Sequence, residues 1–498
     1  MSANILVILP IVVPLIAAGL CAVLWLRPTL QRWATLAGMV ALAASSFGLL
    51  LAVMEQGVMA TQPGNWAAPF GISVVADPLS ALGVAAASLV ALAVAVYAFR
   101  GVDTNALHGG FFPLFCGLMV GVNGSFLTGD IFNLYVWFEV LLVCAIGLLV
   151  VHREGVNLDA AVKYAALNLF GTILFLTGVA FVYGSTGTLN FAELSTILPA
   201  MEVTPGITFA LVLFLLALGV KAAAFPLFFW LPIAYHTAPP VVSALFGALL
   251  TKVGIYAAMR VFMLLYQGAT GTIGDVVIFA AAVTMIAGAI AALAQSDIRR
   301  MLAFLIVSGM GYLMMGLALS TPEGLSAASF YLIHDILVKA AVFLLAGIVI
   351  YATGSADLRK IGGLIRSHPV LAVIFLGAGL SLAGLPPFSG FWGKVVIADA
   401  AFAGNEPVLG GIALGVGLIT LMCVAKIWME AFWKAAPEGM ALNTARVPLV
   451  LMVPAAGLTL ISLGIGLYAE PLIELAGLAG QGLADPSAYA EGVLGGQP

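Results

Sequence analysis

Five lysines, Lys221, Lys252, Lys339, Lys394 and Lys426, stand inside long apolar runs, and no other feature so narrows what this chain can fold into. The runs recur from the first residues to about position 468, and each approaches or exceeds the ~20 residues that cross a hydrocarbon layer as a helix. Only 8% of residues are charged and 63% are hydrophobic, against about 25% charged in soluble domains, so no water-soluble fold could hide this much apolar surface. A transmembrane barrel would need alternating segments of ~10 residues with a polar lumen face, whereas these segments are apolar on every side. The expected fold class is an all-α integral membrane protein.

Fourteen spans are predicted, at 4–26, 33–54, 79–99, 110–128, 131–151, 162–183, 206–235, 240–265, 274–295, 300–320, 325–351, 369–403, 408–434 and 447–468. They form one membrane domain without a globular appendage. Arg27, Arg32, Arg100, Arg153, Lys163, Arg299, Arg300, Arg359, Lys360, Arg366, Lys434 and Arg446 fall on one side and Arg260 alone on the other, which predicts both termini outside. The stretch Asn4–Leu26 has no basic n-region before it and no small-residue cleavage pattern, so it reads as a retained first span. A net charge of −4, with basic residues singly or in pairs, is no nucleic-acid footprint. Cys21, Cys116, Cys144 and Cys423 lie far apart within spans, which suggests packing residues and neither a disulfide framework nor a metal cluster.

A charged side chain at mid-bilayer costs roughly 2.5–3.5 kcal/mol on insertion scales, so the five lysines must be paired, hydrated or neutral. Lysine suits a proton path because a desolvated ammonium gives up its proton more readily. Glu139 sits mid-span among Trp137, Phe138, Val140 and Leu141 and needs a cationic partner, for which Lys221 is the candidate. One such pair could simply fix packing. Lys252, His334, Lys339 and Lys394 extend the row over five spans, however, and static packing has little use for six expensive groups. Asp335 and Lys426 are weaker candidates: the first adjoins His334 but points elsewhere on its helix, and the second is near enough to a span end to snorkel. Asp130, Asp399 and Glu430 near span ends read as solvated carboxylates.

The segments 206–235 and 369–403 are too long for one straight span and carry prolines near their middles, Pro226 and Pro386-Pro387, so both are expected to be interrupted. An unwound turn is tolerated in a membrane only where protein buries it or where it lines a hydrated cavity, so the breaks point to a polar path. Phe225-Pro226-Leu227-Phe228-Phe229-Trp230 aligns with Leu385-Pro386-Pro387-Phe388-Ser389-Gly390-Phe391-Trp392 when two residues are inserted. The two segments lie five spans apart, an odd number, which predicts inverted repeats of helices 4–8 (110–265) and 9–13 (274–434), with helices 1–3 (1–109) before them and the last helix and tail (447–498) after. That pairing would superpose Lys252 on Lys426.

The stretches LTGDIFNLYVWFEVLL, GVKAAAFPLFFWLPIAYHTAPPVVSALFGALLTKVG and LSLAGLPPFSGFWGK closely resemble the D-type subunit of Mrp-type multisubunit sodium/proton antiporters, and the likeness covers essentially the whole chain. The wider superfamily includes antiporter-like membrane subunits of respiratory complex I and membrane-bound hydrogenases, and the resemblance implies fourteen helices in two inverted five-helix repeats. It carries functional positions onto Glu139, Lys221, Lys252 and Lys394, and makes His334 similar to a central-axis histidine. IFNLYVWFEV and the length near 500 favour the D-type subunit over the complex I relatives. The resemblance implies a bacterial cytoplasmic-membrane complex in which this chain moves protons, other subunits are its partners and sodium is the exchanged ion. Competing readings are a proton-pumping membrane subunit of a redox enzyme and a non-conducting scaffold. No P-loop, dinucleotide glycine fingerprint, cysteine cluster or HExxH motif is present, so no cofactor and no catalysis by the chain itself are expected.

Overall fold

The computed structural model describes residues 2–64, 66–151, 155–202, 204–266, 271–437 and 446–495. Arg153, one of the twelve orienting basic residues, lies outside them. The main helices are α1 (Ser2–Val23), α2 (Pro28–Gln56), α3 (Pro78–Gly101), α4 (Phe111–Leu127), α5 (Ile131–Val150), α6 (Gly155–Thr186), α7 in two pieces (α7a, Pro205–Lys221; α7b, Trp230–Thr237), α8 (Pro240–Tyr266), α9 (Gly271–Leu293), α10 (Ile298–Leu319), α11 (Pro322–Thr353), α12 in two pieces (α12a, Pro369–Ala383; α12b, Ser389–Ala403), α13 (Pro407–Trp433) and α14 (Leu449–Leu467). Two shorter helices follow, α15 (Glu470–Ala484) and α16 (Ser487–Leu494). A small antiparallel hairpin, β1 (Met59–Thr61) with β2 (Val74–Ala76), joins α2 to α3.

Among the described residues, eleven helices are long and apolar enough to cross a membrane, and three shorter apolar ones, Phe111–Leu127, Pro205–Lys221 and Pro369–Ala383, stand at the fourth, seventh and twelfth predicted spans. Helix starts follow local chemistry. Pro78, Pro205, Pro322, Pro369 and Pro407 open helices where no intrahelical N–H bond is lost, and Asp77, Thr204 and Thr321 accept from backbone N–H groups of the first turns. The predicted interruptions are both observed, at 222–229 and 384–388. α8 and α13 each contain a π-helical turn, Phe246–Leu250 and Trp428–Trp433.

Charge and burial run together here. α3, α8, α10 and α11 are enclosed by other helices, and α8 and α11 carry Lys252, His334, Asp335 and Lys339. The outer helices turn large apolar side chains outward, among them Phe170, Ile173, Val373 and Leu418. A bilayer rather than water can solvate that surface.

An internal repeat is visible atom by atom. Asp130 forms an antiparallel bridge with Asn190, and Asp297 forms one with Asp357. Ile131 N donates to Leu189 O at 2.9 Å and Ile298 N to Ala356 O at 3.0 Å; Phe191 N donates to Gly129 O and Leu358 N to Ser296 O at 2.9 and 2.8 Å. Asp130 caps α5 as Asp297 caps α10. One constant shift in residue number carries every one of these atoms of the first set onto the second, and it also carries Tyr164 to Tyr331, Asn168 to Asp335 and Glu139 to Ile306. Asp130 is thus a buried helix cap, 9% exposed, and not the solvated carboxylate expected from its place near a span end.

Candidate functional site

The most deeply buried charges form a triad. Lys252 Nζ of α8 lies 2.7 Å from Asp335 Oδ2 of α11, and Lys339 Nζ, one turn further along α11, lies 3.7 Å from Asp335 Oδ1. The Lys252 and Asp335 side chains are wholly enclosed, and that of Lys339 is 2% exposed. Asp335 therefore does not point away from the row, as expected from sequence; it is the shared counter-ion at its centre. Its spacing of four from Lys339 puts both on one helical face.

Lys252, Lys339 and Lys394 each also donate to a backbone carbonyl. Lys252 Nζ donates to Gly247 O at 2.7 Å, inside the π-helical turn, where the i to i−4 ladder is interrupted. Lys394 Nζ donates to Ala383 O at 2.8 Å, the end of α12a. Lys339 Nζ donates to Leu305 O at 2.7 Å. Helix irregularities at the π-turn and the α12 break thus supply acceptors that a regular helix keeps for itself.

Glu139 and Lys221 do not form the direct pair expected of them. Among the described residues no carboxylate lies within 4.0 Å of Lys221 Nζ, which sits 5.3 Å from the centroid of the Phe138 ring, the residue preceding Glu139. The ring stands beside the ammonium in place of the carboxylate. Glu139 Oε1 is buried without a hydrogen-bond partner. Lys221 instead borders a cavity of about 20 Å³ with Phe138, Tyr164, Asn168, Trp230 and Gly254, room for about one water. At Gly254 a Cβ would stand 2.8 Å from Ala222 N, so glycine is what lets α8 lie against the end of α7a.

His334 of α11 packs against α12b, the segment that carries Lys394. A Cβ on Gly390 would fall 2.9 Å from His334 Cε1, and one on Gly393 would fall 3.7 Å from His334 Cδ2. The ring edge carrying Nε2 therefore faces the Gly390–Gly393 side of α12b, in the segment that also carries Lys394. Lys394 Nζ lies 5.4 Å from the centroid of the Tyr312 ring; Tyr312 stacks on Tyr331, and Tyr331 meets His334 edge-on. The two proline breaks hold lysines on opposite flanks: Lys221 ends the segment before Pro226, and Lys394 lies in the segment after Pro386-Pro387.

Lys426 stands apart from the row. Its Nζ donates to Leu293 O and Gln295 O, both at 2.8 Å, and so caps the C-terminal end of α9. Asp399 is exposed, and Glu430 pairs at 2.6 Å with Lys434 one turn away. Arg260 is buried in α8 and bonds Asp77 at the N-cap of α3, with Tyr256 and Tyr489 against its guanidinium.

The family described as NADH:quinone oxidoreductase/Mrp antiporter, TM matches residues 128–420, which span both breaks and the triad. The chain belongs to this family. Among its relatives is the D-type subunit of the Na(+)/H(+) antiporter of Alkalihalophilus pseudofirmus, 39% identical over 494 residues and 99% of each chain. Among solved structures, a chain of the Mrp complex from Dietzia sp. DQ12-45-1b superposes with a TM-score of 0.92 at 32% identity, covering 99% of this chain and 100% of that one. A chain of the membrane-bound sulfane sulfur reductase, an archaeal respiratory membrane complex, gives 0.91 at 27% identity over 98% and 99%. As a member of the family with apolar helices throughout, the chain is a multi-pass membrane protein.

Proposed function

We propose that the chain is the D-type component of a multisubunit sodium/proton antiporter of the bacterial cytoplasmic membrane, a transporter component that conducts protons along Glu139, Lys221, Lys252, Asp335, Lys339, His334 and Lys394. The observation that carries the reading is the triad: one carboxylate wholly enclosed between two lysines. With both lysines charged it holds a net +1, and with one neutral it holds none. A low-dielectric interior opposes the excess charge, so a proton arriving at one lysine favours release from the other, and Asp335 changes partners as it does so. In the chain, the break at Pro226 precedes Lys252 and the break at Pro386-Pro387 follows Lys339. In this reading residues 1–109 flank a first half (110–265) and a second half (274–434), 447–498 closes the bundle, fourteen helices cross the bilayer, and both termini face outward.

The test is cation-dependent proton movement in vesicles carrying the assembled complex, with Na⁺, Li⁺ and K⁺ compared for wild type, Glu139→Ala, Lys221→Ala and Lys394→Ala. Normal exchange in the assembled variants would sink the relay and leave a scaffold. The likeness to a chain of an archaeal respiratory membrane complex favours a second reading, a proton-pumping subunit of a redox enzyme. Bound flavin or iron–sulfur clusters in the purified complex would decide for it.

A further inference from the structure

Beside the proton row lies a chain of side chains that the row does not use. His334 Nδ1 is 2.8 Å from Ser389 Oγ at the start of α12b; Ser389 Oγ is 2.8 Å from Ser462 Oγ of α14; and Ser462 Oγ is 2.7 Å from Ser381 Oγ of α12a. All four residues are buried, none more than 1% exposed. Ser381 and Ser389 stand on the two sides of the α12 break, and Ser462 spans them from a different helix. At Gly390 a Cβ would overlap the Ser381 carbonyl oxygen, so this glycine is what lets the broken ends approach closely enough for one hydroxyl to bridge them.

We infer that Ser389, Ser462 and Ser381 act as positioning residues that hold His334 with its proton on Nδ1, leaving Nε2 free to take and return a proton on the Lys394 side. The inference rests on the proton path proposed above. Three hydroxyls and an imidazole in series fall into two classes, set by whether Ser389 donates to Nδ1 or accepts from it, because that oxygen has one proton to give. In the first, Ser381 donates to Ser462, Ser462 to Ser389 and Ser389 to Nδ1. The neutral ring then carries its proton on Nε2 and cannot accept another there. In the second, Nδ1–H donates to Ser389 and Ser389 to Ser462, while Ser462 and Ser381 share the remaining contact. The second is the only one compatible with the imidazolium, whose two nitrogens both donate. When Nε2 gains a proton and loses it again, no hydroxyl moves and no proton travels along the serines. The site is preorganised for both charge states, and α14 supplies the middle hydroxyl.

The test uses the complete complex in vesicles. Ser462→Ala leaves the Ser389 hydroxyl without its onward acceptor and turns it back to Nδ1, so the maximal exchange rate should fall about tenfold or more, which is ~1.4 kcal/mol or more of barrier, with the half-saturating Na⁺ concentration unchanged. Ser462→Thr restores the hydroxyl and should restore the rate. ¹⁵N-histidine spectra of the purified complex, with His334 assigned by its loss in His334→Gln, should show the Nδ1–H form in wild type and the Nε2–H form in Ser462→Ala; a merely structural defect would not move the tautomer. If Ser462→Ala fails to assemble, Ser389→Ala carries the same prediction for the rate and loses the preference for Nδ1–H, since it removes the hydroxyl that accepts from Nδ1. Wild-type rate together with an unchanged tautomer overturns the inference. An inactive His334→Ala beside a fully active Ser462→Ala rejects only the serine chain, whereas a fully active His334→Ala rejects His334 as a path member and the inference with it.

Discussion

Asp335→Asn removes one charge and almost no volume from the centre of the triad. At an effective dielectric of about 20, ion pairs at 2.7 and 3.7 Å correspond to gross attractions of roughly 6 and 4–5 kcal/mol. Most of that offsets the cost of desolvating three charges. The measurable quantity is the penalty for leaving the others uncompensated, typically ~3–5 kcal/mol when one member of a buried pair is lost. Asparagine keeps an acceptor for Lys252 but cannot balance two ammonium groups, so one lysine must go neutral or the helices must part. Sodium-driven proton movement in vesicles should fall by about 10²- to 10⁴-fold, the factor those energies represent if the transition state loses the same compensation. Less complex should survive solubilisation. Adding Lys339→Met to Asp335→Asn should recover assembly, because one of the two uncompensated cations is gone, without recovering exchange. An Asp335→Asn complex that assembles fully and exchanges at half the wild-type rate or better would refute the reasoning.

Three further outcomes follow from the geometry. Lys426→Met should leave exchange near wild type and lower thermal stability by about 1–3 kcal/mol, because it removes charged hydrogen bonds to the end of α9 and nothing on the row. Gly390→Ala should block assembly, read on a native gel, because its methyl group overlaps the Ser381 carbonyl and the α12 ends cannot separate without breaking the serine chain. Arg260→Gln leaves Asp77 buried without its cation and should destabilise the complex by about 3–5 kcal/mol, while limited proteolysis should cut sooner between α15 and α16, since Tyr489 loses the guanidinium it packs on.

Much of this architecture is legible in the residues themselves. Long apolar runs fix helices, and prolines within over-long runs fix the two breaks, because both signals are local. The row of Glu139, Lys221, Lys252, His334, Lys339 and Lys394 emerges from asking which charges a bilayer has to tolerate. Asp335 is undervalued when adjacency to His334 is weighed and the four-residue spacing to Lys339 is not. Lys426 and Arg260 are hard for another reason: a capping lysine and a clasped arginine look like path or loop residues until the helix ends they meet are placed in space. The serines carry no signal at all. Ser381, Ser389 and Ser462 are common residue types on three separate segments, and only packing brings Ser462 within 2.8 Å of each of the other two. Thr186-Gly187-Thr188-Leu189-Asn190 and Thr353-Gly354-Ser355-Ala356-Asp357 reveal the register of the repeat, but a comparison confined to the proline breaks passes over them.

The constant shift that carries the Asp130–Asn190 bridge onto the Asp297–Asp357 bridge also works as a natural substitution experiment within one molecule. Position by position, the two halves have exchanged parts: an asparagine at 168 stands where the other half keeps the carboxylate of Asp335, and Ile306 stands where the first half keeps Glu139. Each half thus keeps a mid-helix anion at a position where its counterpart has none. Any change that restores symmetry, Asn168→Asp or Ile306→Glu, gives both halves the same option and removes the difference between them.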